Sequence, residues 1–167
     1  MNYRIANKSD CSVLTQLRMQ MRKERDADFC EETLYENTFD FFTRTLEAGS
    51  HIAFLCEDHG TVIATAGLSL FEMPPTTKLP NGKVAKLMNM YVIPTYRSQG
   101  IAKHMLTFVL NYAREHSYHK IMLNSSPMGE PLYQDFGFQL IPNEYEFYIK
   151  QENVKTLFQG SKHPVSR

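Results

Sequence analysis

Apolar and polar residues alternate along this chain with two different periods, near two for strands and near 3.6 for helices. Residues 3–6 read as a short strand. After Asn7 and Lys8, either Ser9 or Asp10 can cap a helix whose buried stripe is Val13, Leu14, Leu17 and Met21. The charge run over residues 22–28 predicts a break. A second helix over residues 31–48 buries Leu34, Phe41, Phe42 and Leu46 and stops at Gly49. Residues 51–57 and 61–71 predict strands joined as a hairpin through Asp58, His59 and Gly60. A loop with Pro74, Pro75, Pro80 and Asn81-Gly82 leads to a third apolar strand, residues 85–93, ended by Pro94.

A helical pattern then begins at once. Ile101, Met105, Phe108, Val109 and Tyr112 form one stripe, broadened by Ala102, Leu106 and Ala113, and the helix extends to about His116. Residues 120–124 predict a short strand broken by Ser125, Ser126 and Pro127. Pro131 opens a brief helix that Gly137 ends, and residues 138–141 and 145–149 predict a final antiparallel pair. This order implies a mixed α/β fold with an antiparallel front half, in which the central helix crosses to a parallel neighbouring strand.

The chemistry concentrates in residues 86–102, a strand, a tight turn and a helix start. The first N–H groups of a helix have no partner inside it and carry the positive end of its dipole, so anions bind there. The amides of Gln99, Gly100, Ile101 and Ala102 could cradle a pyrophosphate, with Arg97 adding charge-assisted hydrogen bonds. Alternatively, Gly100 only relieves a crowded turn. The spacing does not fit nucleotide fingerprints with two or three glycines or a Gly-Lys-Ser/Thr ending.

Arg97-Ser98-Gln99-Gly100-Ile101-Ala102 matches the Arg/Gln-x-x-Gly-x-Gly/Ala signature of acyl-CoA-dependent N-acyltransferases of the GNAT superfamily. Leu132-Tyr133-Gln134-Asp135-Phe136-Gly137-Phe138 resembles that family's later Leu-Tyr-x-x-x-Gly-Phe segment, in the right order downstream. The resemblance spans residues 3–150 and implies one domain over residues 1–150, with 151–167 as a tail that is loosely held or docks on a partner. It implies the GNAT fold, a central mixed sheet flanked by helices whose fourth and fifth strands splay apart. The pantetheine arm of acetyl-CoA would lie between them and pair with backbone near Met90, Tyr91 and Val92. Ser98 belongs to the phosphate loop and Lys103 can reach a phosphate. Asn124 would either bond the arm or serve as a strand-end turn residue.

Acetyl transfer needs a neutral amine, a donor for the oxyanion and support for a departing thiolate. Backbone N–H groups around Met90, Tyr91 and Val92 are candidates for the oxyanion, and such a donor is worth a factor of ~10² to 10³ in rate. The resemblance places Tyr133 beside the cofactor sulfur as the catalytic donor. Because a phenol titrates near ~10 and a thiol near ~8.5, full proton transfer is uphill by about 2 kcal/mol, so hydrogen-bond support fits better. Tyr133 read without the motif is a core residue beside Leu132 and Phe136. Many relatives carry a glutamate base on the fourth strand, where this chain has Lys86, Met88 and Asn89. Asn89 can orient water without acting as a base, and Glu72 is a weak substitute.

The reading is an N-acetyltransferase moving the acetyl group of acetyl-CoA directly to a primary amine, on a small molecule or a peptide, within a ternary complex. The alternatives are a non-catalytic acyl-CoA-binding sensor and a mononucleotide-binding regulator.

Composition narrows the partners. Eighteen basic and eighteen acidic residues cancel, so no overall field favours nucleic acid or an anionic membrane. No apolar run approaches the ~20 residues of a membrane span, and the first residues lack a signal-length apolar segment, which implies the cytoplasm. Cys11, Cys30 and Cys56 are unpaired in spacing and read as reduced thiols. His116 and His119 fit helix-end carbonyls better than a metal. Asp26, Asp28, Glu31 and Glu32 read as a solvated loop and helix start, with attraction of a cationic amine as the alternative. Pairing as a homodimer through the final strands is common in the family.

Overall fold

Phe54 and Leu55 are neighbours in the sequence, both fully buried, and they face opposite sides of one sheet, as strand alternation requires. They lie in β2 (His51–Asp58). The computed structural model describes residues 1–27, 29–142 and 144–146. The sheet runs in the order β1 (Asn2–Ile5), β2, β3 (Thr61–Glu72), β4 (Lys83–Val92), β5 (Lys120–Met122). All neighbours are antiparallel except β4 and β5. A parallel step needs a crossover, and α3 (Ile101–Glu115) makes it.

Leu55 and Ala53 pack with Cys11 and Leu14 of α1 (Cys11–Arg25) and Phe42 of α2 (Glu31–Glu47). Phe54 meets Phe108 and Tyr112 of α3 edge-on, each at 5.4 Å. Two helices therefore cover one face and one helix the other. Burying a side chain such as Phe54 or Leu55 contributes roughly 1.5–3 kcal/mol. The periodicity located most of these residues, although Val13, Leu34, Phe41 and Leu46 are only half-buried.

Four expectations are corrected. The break at residue 22 is absent, because α1 continues to Arg25. Arginine, lysine and glutamate are good helix formers, and an Arg22–Asp26 ion pair one turn apart supports the end. The cap is neither Ser9 nor Asp10 acting alone. Asn7 accepts the Ser9 N–H at 2.8 Å, and the Asp10 carboxylate accepts the Asn7 N–H at 2.8 Å, closing a capping box over a short 3-10 turn. Asp10 also takes the Arg4 guanidinium at 2.7 and 2.8 Å. β5 stops at Met122, which leaves Asn124 in the loop beyond it. Residues 138–142 and 144–146 form no strand, while the rest of that expected pair, and the tail from 151, lie outside the described residues, as does Asp28.

The chain divides into two compact units, Met1–Leu132 and Tyr133–Arg167. The sheet belongs to the first. A short α4 (Glu130–Asp135) appears where Pro131 predicts it. At the end of α3 the His116 Nδ1 lies 2.9 Å from the Tyr112 carbonyl, the helix-end contact read from the sequence. Cys11 and Cys56 are buried, Cys30 is exposed, and none is in a disulfide. Among the described residues no helix is long and apolar enough to cross a membrane.

Candidate active site

β4 outruns its parallel partner. Pairing with β5 covers Val84, Ala85 and Lys86 only, and β4 then continues to Val92 with that edge unpaired among the described residues. On its other edge, Thr65 pairs with Tyr91 and Gly67 with Met88, so two steps of β3 oppose three of β4. The extra residue makes a bulge around Asn89 and Met90. Asn89 has φ 55°, a left-handed conformation that asparagine tolerates better than most side chains. Past the bulge the Ile93 N–H donates to the Ile63 carbonyl at 3.0 Å. By alternation the Tyr91 backbone then faces Thr65 in the ladder, and the Val92 backbone faces the open edge. Of the three residues expected to offer backbone groups there, Tyr91 is therefore engaged with β3, and Met90 and the Val92 N–H remain, the Val92 carbonyl accepting from Arg97 Nε.

The chain leaves β4 through a 3-10 turn over Pro94–Tyr96, closed by Tyr96 and Arg97 N–H groups donating to the Ile93 and Pro94 carbonyls at 3.0 and 3.2 Å. Ser98 and Gly100 both have positive φ, 61° and 78°. Left-handed residues in a turn are the backbone feature from which anion-binding nests of successive N–H groups are built. Among the described residues the N–H groups of Ser98, Gln99, Gly100, Ile101 and Ala102 donate to nothing, and no side chain caps α3. A Cβ on Gly100 would come no nearer than 3.8 Å to another atom, the His104 Nδ1, so the glycine does not relieve crowding. Its φ is the reason for it. Lys103, on the first turn of α3, is exposed.

Arg97, expected to reach a phosphate, makes its contacts in this arrangement with the protein itself. Its Nε donates to the Val92 carbonyl at 2.9 Å, its Nη2 to Glu24 Oε2 at 2.6 Å, and its guanidinium lies 5.5 Å from the Tyr91 ring centre. The Tyr91 hydroxyl donates to the other Glu24 oxygen at 2.6 Å. These two bonds, the tyrosine's first, hold the Glu24 carboxyl below its usual range. Burial, and then Glu24, push the Tyr91 phenol up to about 12. Glu24 is thus an ionised clamp on two site residues. The sequence reading missed it by ending α1 early.

Asn89 is buried, and its Oδ1 accepts from the Arg18 guanidinium of α1. Burial lowers the Arg18 pKa. Arg18 was also missed, although a signal existed: one turn after Leu14 and beside Leu17, it is a charge at the flank of a buried stripe. His51 lies on the same side of the sheet, 1% exposed, with Nδ1 3.0 Å from Ser69 Oγ and Nε2 unpartnered. Burial, and then the Arg18 charge, lower its pKa to about 4, so the ring is neutral.

The remaining candidates are dispersed. Asn124 is exposed in the loop after β5, and Glu72 is exposed at the end of β3. Tyr133 belongs to the second unit, where its ring meets Phe138 edge-on at 5.7 Å and its carbonyl accepts the N–H groups of Phe136 and Phe138.

The model of the Acetyltransferase (GNAT) family matches residues 15–138. The chain belongs to the GNAT acetyltransferase family. That match covers β4, β5, the loop at Gly100 and the segment with Tyr133. A predicted acetyltransferase from Clostridium acetobutylicum, crystallised with acetyl-CoA, superposes with a TM-score of 0.79 at 30% identity, covering 88% of this chain and 95% of that one. A GCN5-related N-acetyltransferase from Ralstonia eutropha shares the GNAT fold, with a TM-score of 0.78 at 24% identity over 88% and 97% of the two chains. N-acetyltransferase 8B of Rattus norvegicus is 32% identical over 52% of this chain and 38% of its own length. A probable N-acetyltransferase family 8 member 5 of Mus musculus is 29% identical over 67% of this chain and 48% of its own. The chain spans less than half the length of these mammalian relatives.

Proposed function

We propose that this GNAT chain is an N-acetyltransferase that moves the acetyl group of acetyl-CoA directly to an amine held in the same complex. The observation that carries the reading is the end of β4–β5 pairing at Lys86, which leaves the rest of β4 with an open edge that leads into a run of unpaired amides at residues 98–102. An open strand edge suits an arm containing amides, and unpaired N–H groups suit a diphosphate. Acetyl-CoA supplies the activated acyl thioester.

The chain's own groups meet each chemical demand. The N–H groups of Ser98, Gln99, Gly100, Ile101 and Ala102 hold the diphosphate. The Val92 N–H, turned to the open edge, is the donor for developing negative charge on the carbonyl oxygen, with Met90 beside it. Tyr133 donates to the departing thiolate. One N–C bond forms, the C–S bond breaks, and the amine proton leaves through water to solvent. No carboxylate of β4 receives it, Asn89 is engaged by Arg18, and Glu24 is held ionised by Tyr91 and Arg97. Arg97 braces the turn rather than binding phosphate.

Thiol release from acetyl-CoA across a panel of amines tests this reading. An enzyme releases thiol in proportion to acetylated product. A sensor of acyl-CoA would bind the cofactor and release none, and that result would reject catalysis.

A further inference from the structure

We propose that Arg18 anchors a carboxylate on the acceptor, so that the amines acetylated here are amino-carboxylates, of which α-amino acids are the simplest. This rests on the acetyl-transfer reading above and names the class of its second substrate.

Four arginines are half-buried among the described residues: Arg4, Arg18, Arg22 and Arg97. Three have carboxylate partners. Arg4 pairs with Asp10 and Glu57, Arg22 with Asp26, and Arg97 with Glu24. Arg18 has only the neutral Asn89 Oδ1. A guanidinium withdrawn from water without a counter-charge is costly, and burial already disfavours its charged form. Asn89 takes a bond from one of its five donors. The rest of the planar fork has the geometry that grips a carboxylate with two parallel bonds.

Location makes this a substrate feature. Asn89 is the left-handed residue of the β4 bulge, beside the edge that β5 leaves open, and Arg18 reaches it from α1. Register puts Thr65, Gly67 and Ser69 on one face of β3, opposite Tyr91, Met88 and His51 on the flanking strands. On that face two further buried polar atoms, His51 Nε2 and Thr65 Oγ1, have no partner. The surroundings are therefore polar, yet no acidic side chain pairs with Arg18 among the described residues. Asp26 acts on Arg18 only through space, being bonded to Arg22, so the guanidinium has room for one bonded carboxylate and matches a monoanion. A phosphate dianion would call for a second cation, and Arg22, one turn along α1, is held by Asp26.

The test compares each common α-amino acid with its carboxamide as acceptor, following thiol release. Wild type should favour the carboxylate member at least about tenfold in kcat/KM, chiefly through KM. Arg18→Gln should bring the ratio close to one while coenzyme A affinity by calorimetry stays within about twofold, and Arg18→Lys should keep part of the preference. Equal use of both members by wild type, an unchanged preference in Arg18→Gln, or a best acceptor that is a carboxylate-free polyamine or phosphoethanolamine would each overturn the proposal. Titration of the same pairs into the coenzyme A-loaded chain, read by NMR shifts, separates the two claims. Saturable carboxylate binding lost in Arg18→Gln, without thiol release, upholds the anchor and rejects catalysis. Thiol release without preference does the reverse, and neither binding nor preference rejects the anchor.

Discussion

The Arg97 guanidinium donates to the Glu24 carboxylate across 2.6 Å, joining the end of α1 to the loop that precedes α3. A residue that the motif assigns to phosphate is thus held by Glu24 and by the Val92 carbonyl, and in the proposed reading the backbone amides alone carry the phosphate. Arg97→Gln should therefore weaken coenzyme A binding by less than about tenfold, since a partly exposed ion pair contributes only ~1 kcal/mol or less. Calorimetry with coenzyme A checks this, and loss of binding would return Arg97 to the phosphate.

Gly100 should behave differently. Alanine at φ 78° costs about 1–2 kcal/mol of backbone strain, although space for a Cβ exists. Gly100→Ala should lower the melting temperature and weaken coenzyme A binding modestly. Gly100→Asp places a negative charge among the amides and should abolish binding in a chain whose circular dichroism is unchanged.

Tyr133→Phe should slow turnover by a factor on the order of 10² while leaving the affinity for coenzyme A nearly intact, because the role proposed for the hydroxyl is to act on charge that develops during reaction. Steady-state rates and calorimetry on one preparation decide it. An unaltered kcat would remove Tyr133 from the mechanism.

His51 supplies a pH signature. Its pKa is about 4 in the folded chain against ~6.5 when unfolded, so between those values the unfolded chain binds the extra proton. Stability present above pH ~6.5 should decline by about 3 kcal/mol as the pH falls to about 4. Urea midpoints across that range measure the slope, and His51→Gln should flatten it.

The same ring makes Gly67 intolerant. A Cβ there would stand 2.5 Å from His51 Nε2 and 2.7 Å from Cε1, and Phe41 and Phe42 at 5.3 and 5.7 Å limit the ring's retreat. Gly67→Ala should cost roughly 1–3 kcal/mol by thermal denaturation.

Much of this was legible before any coordinates. The stripe from Ile101 to Tyr112, the hairpin at Asp58, His59 and Gly60, and the two motifs around Gly100 and Tyr133 led to the element order, the parallel crossover and the family. Two classes of error have physical causes. A charged helix end such as residues 22–25 carries no apolar period, so it reads as a break although its residues favour helix. Side-chain partners such as Glu24 with Arg97, or Arg18 with Asn89, lie 73 and 71 residues apart, and no local pattern records them.

By itself, then, the sequence determined most of the elements as far as α4, their order and the loop at Gly100, because periodicity, capping and turn chemistry act between neighbours along the chain. Only the tertiary structure decided that Arg97 faces a carboxylate, that Tyr91 turns its backbone to β3, and that the half-buried Arg18 bonds an asparagine and no carboxylate among the described residues. Those outcomes depend on where a β-bulge falls and which helix lands beside it, and packing over the whole sheet sets both.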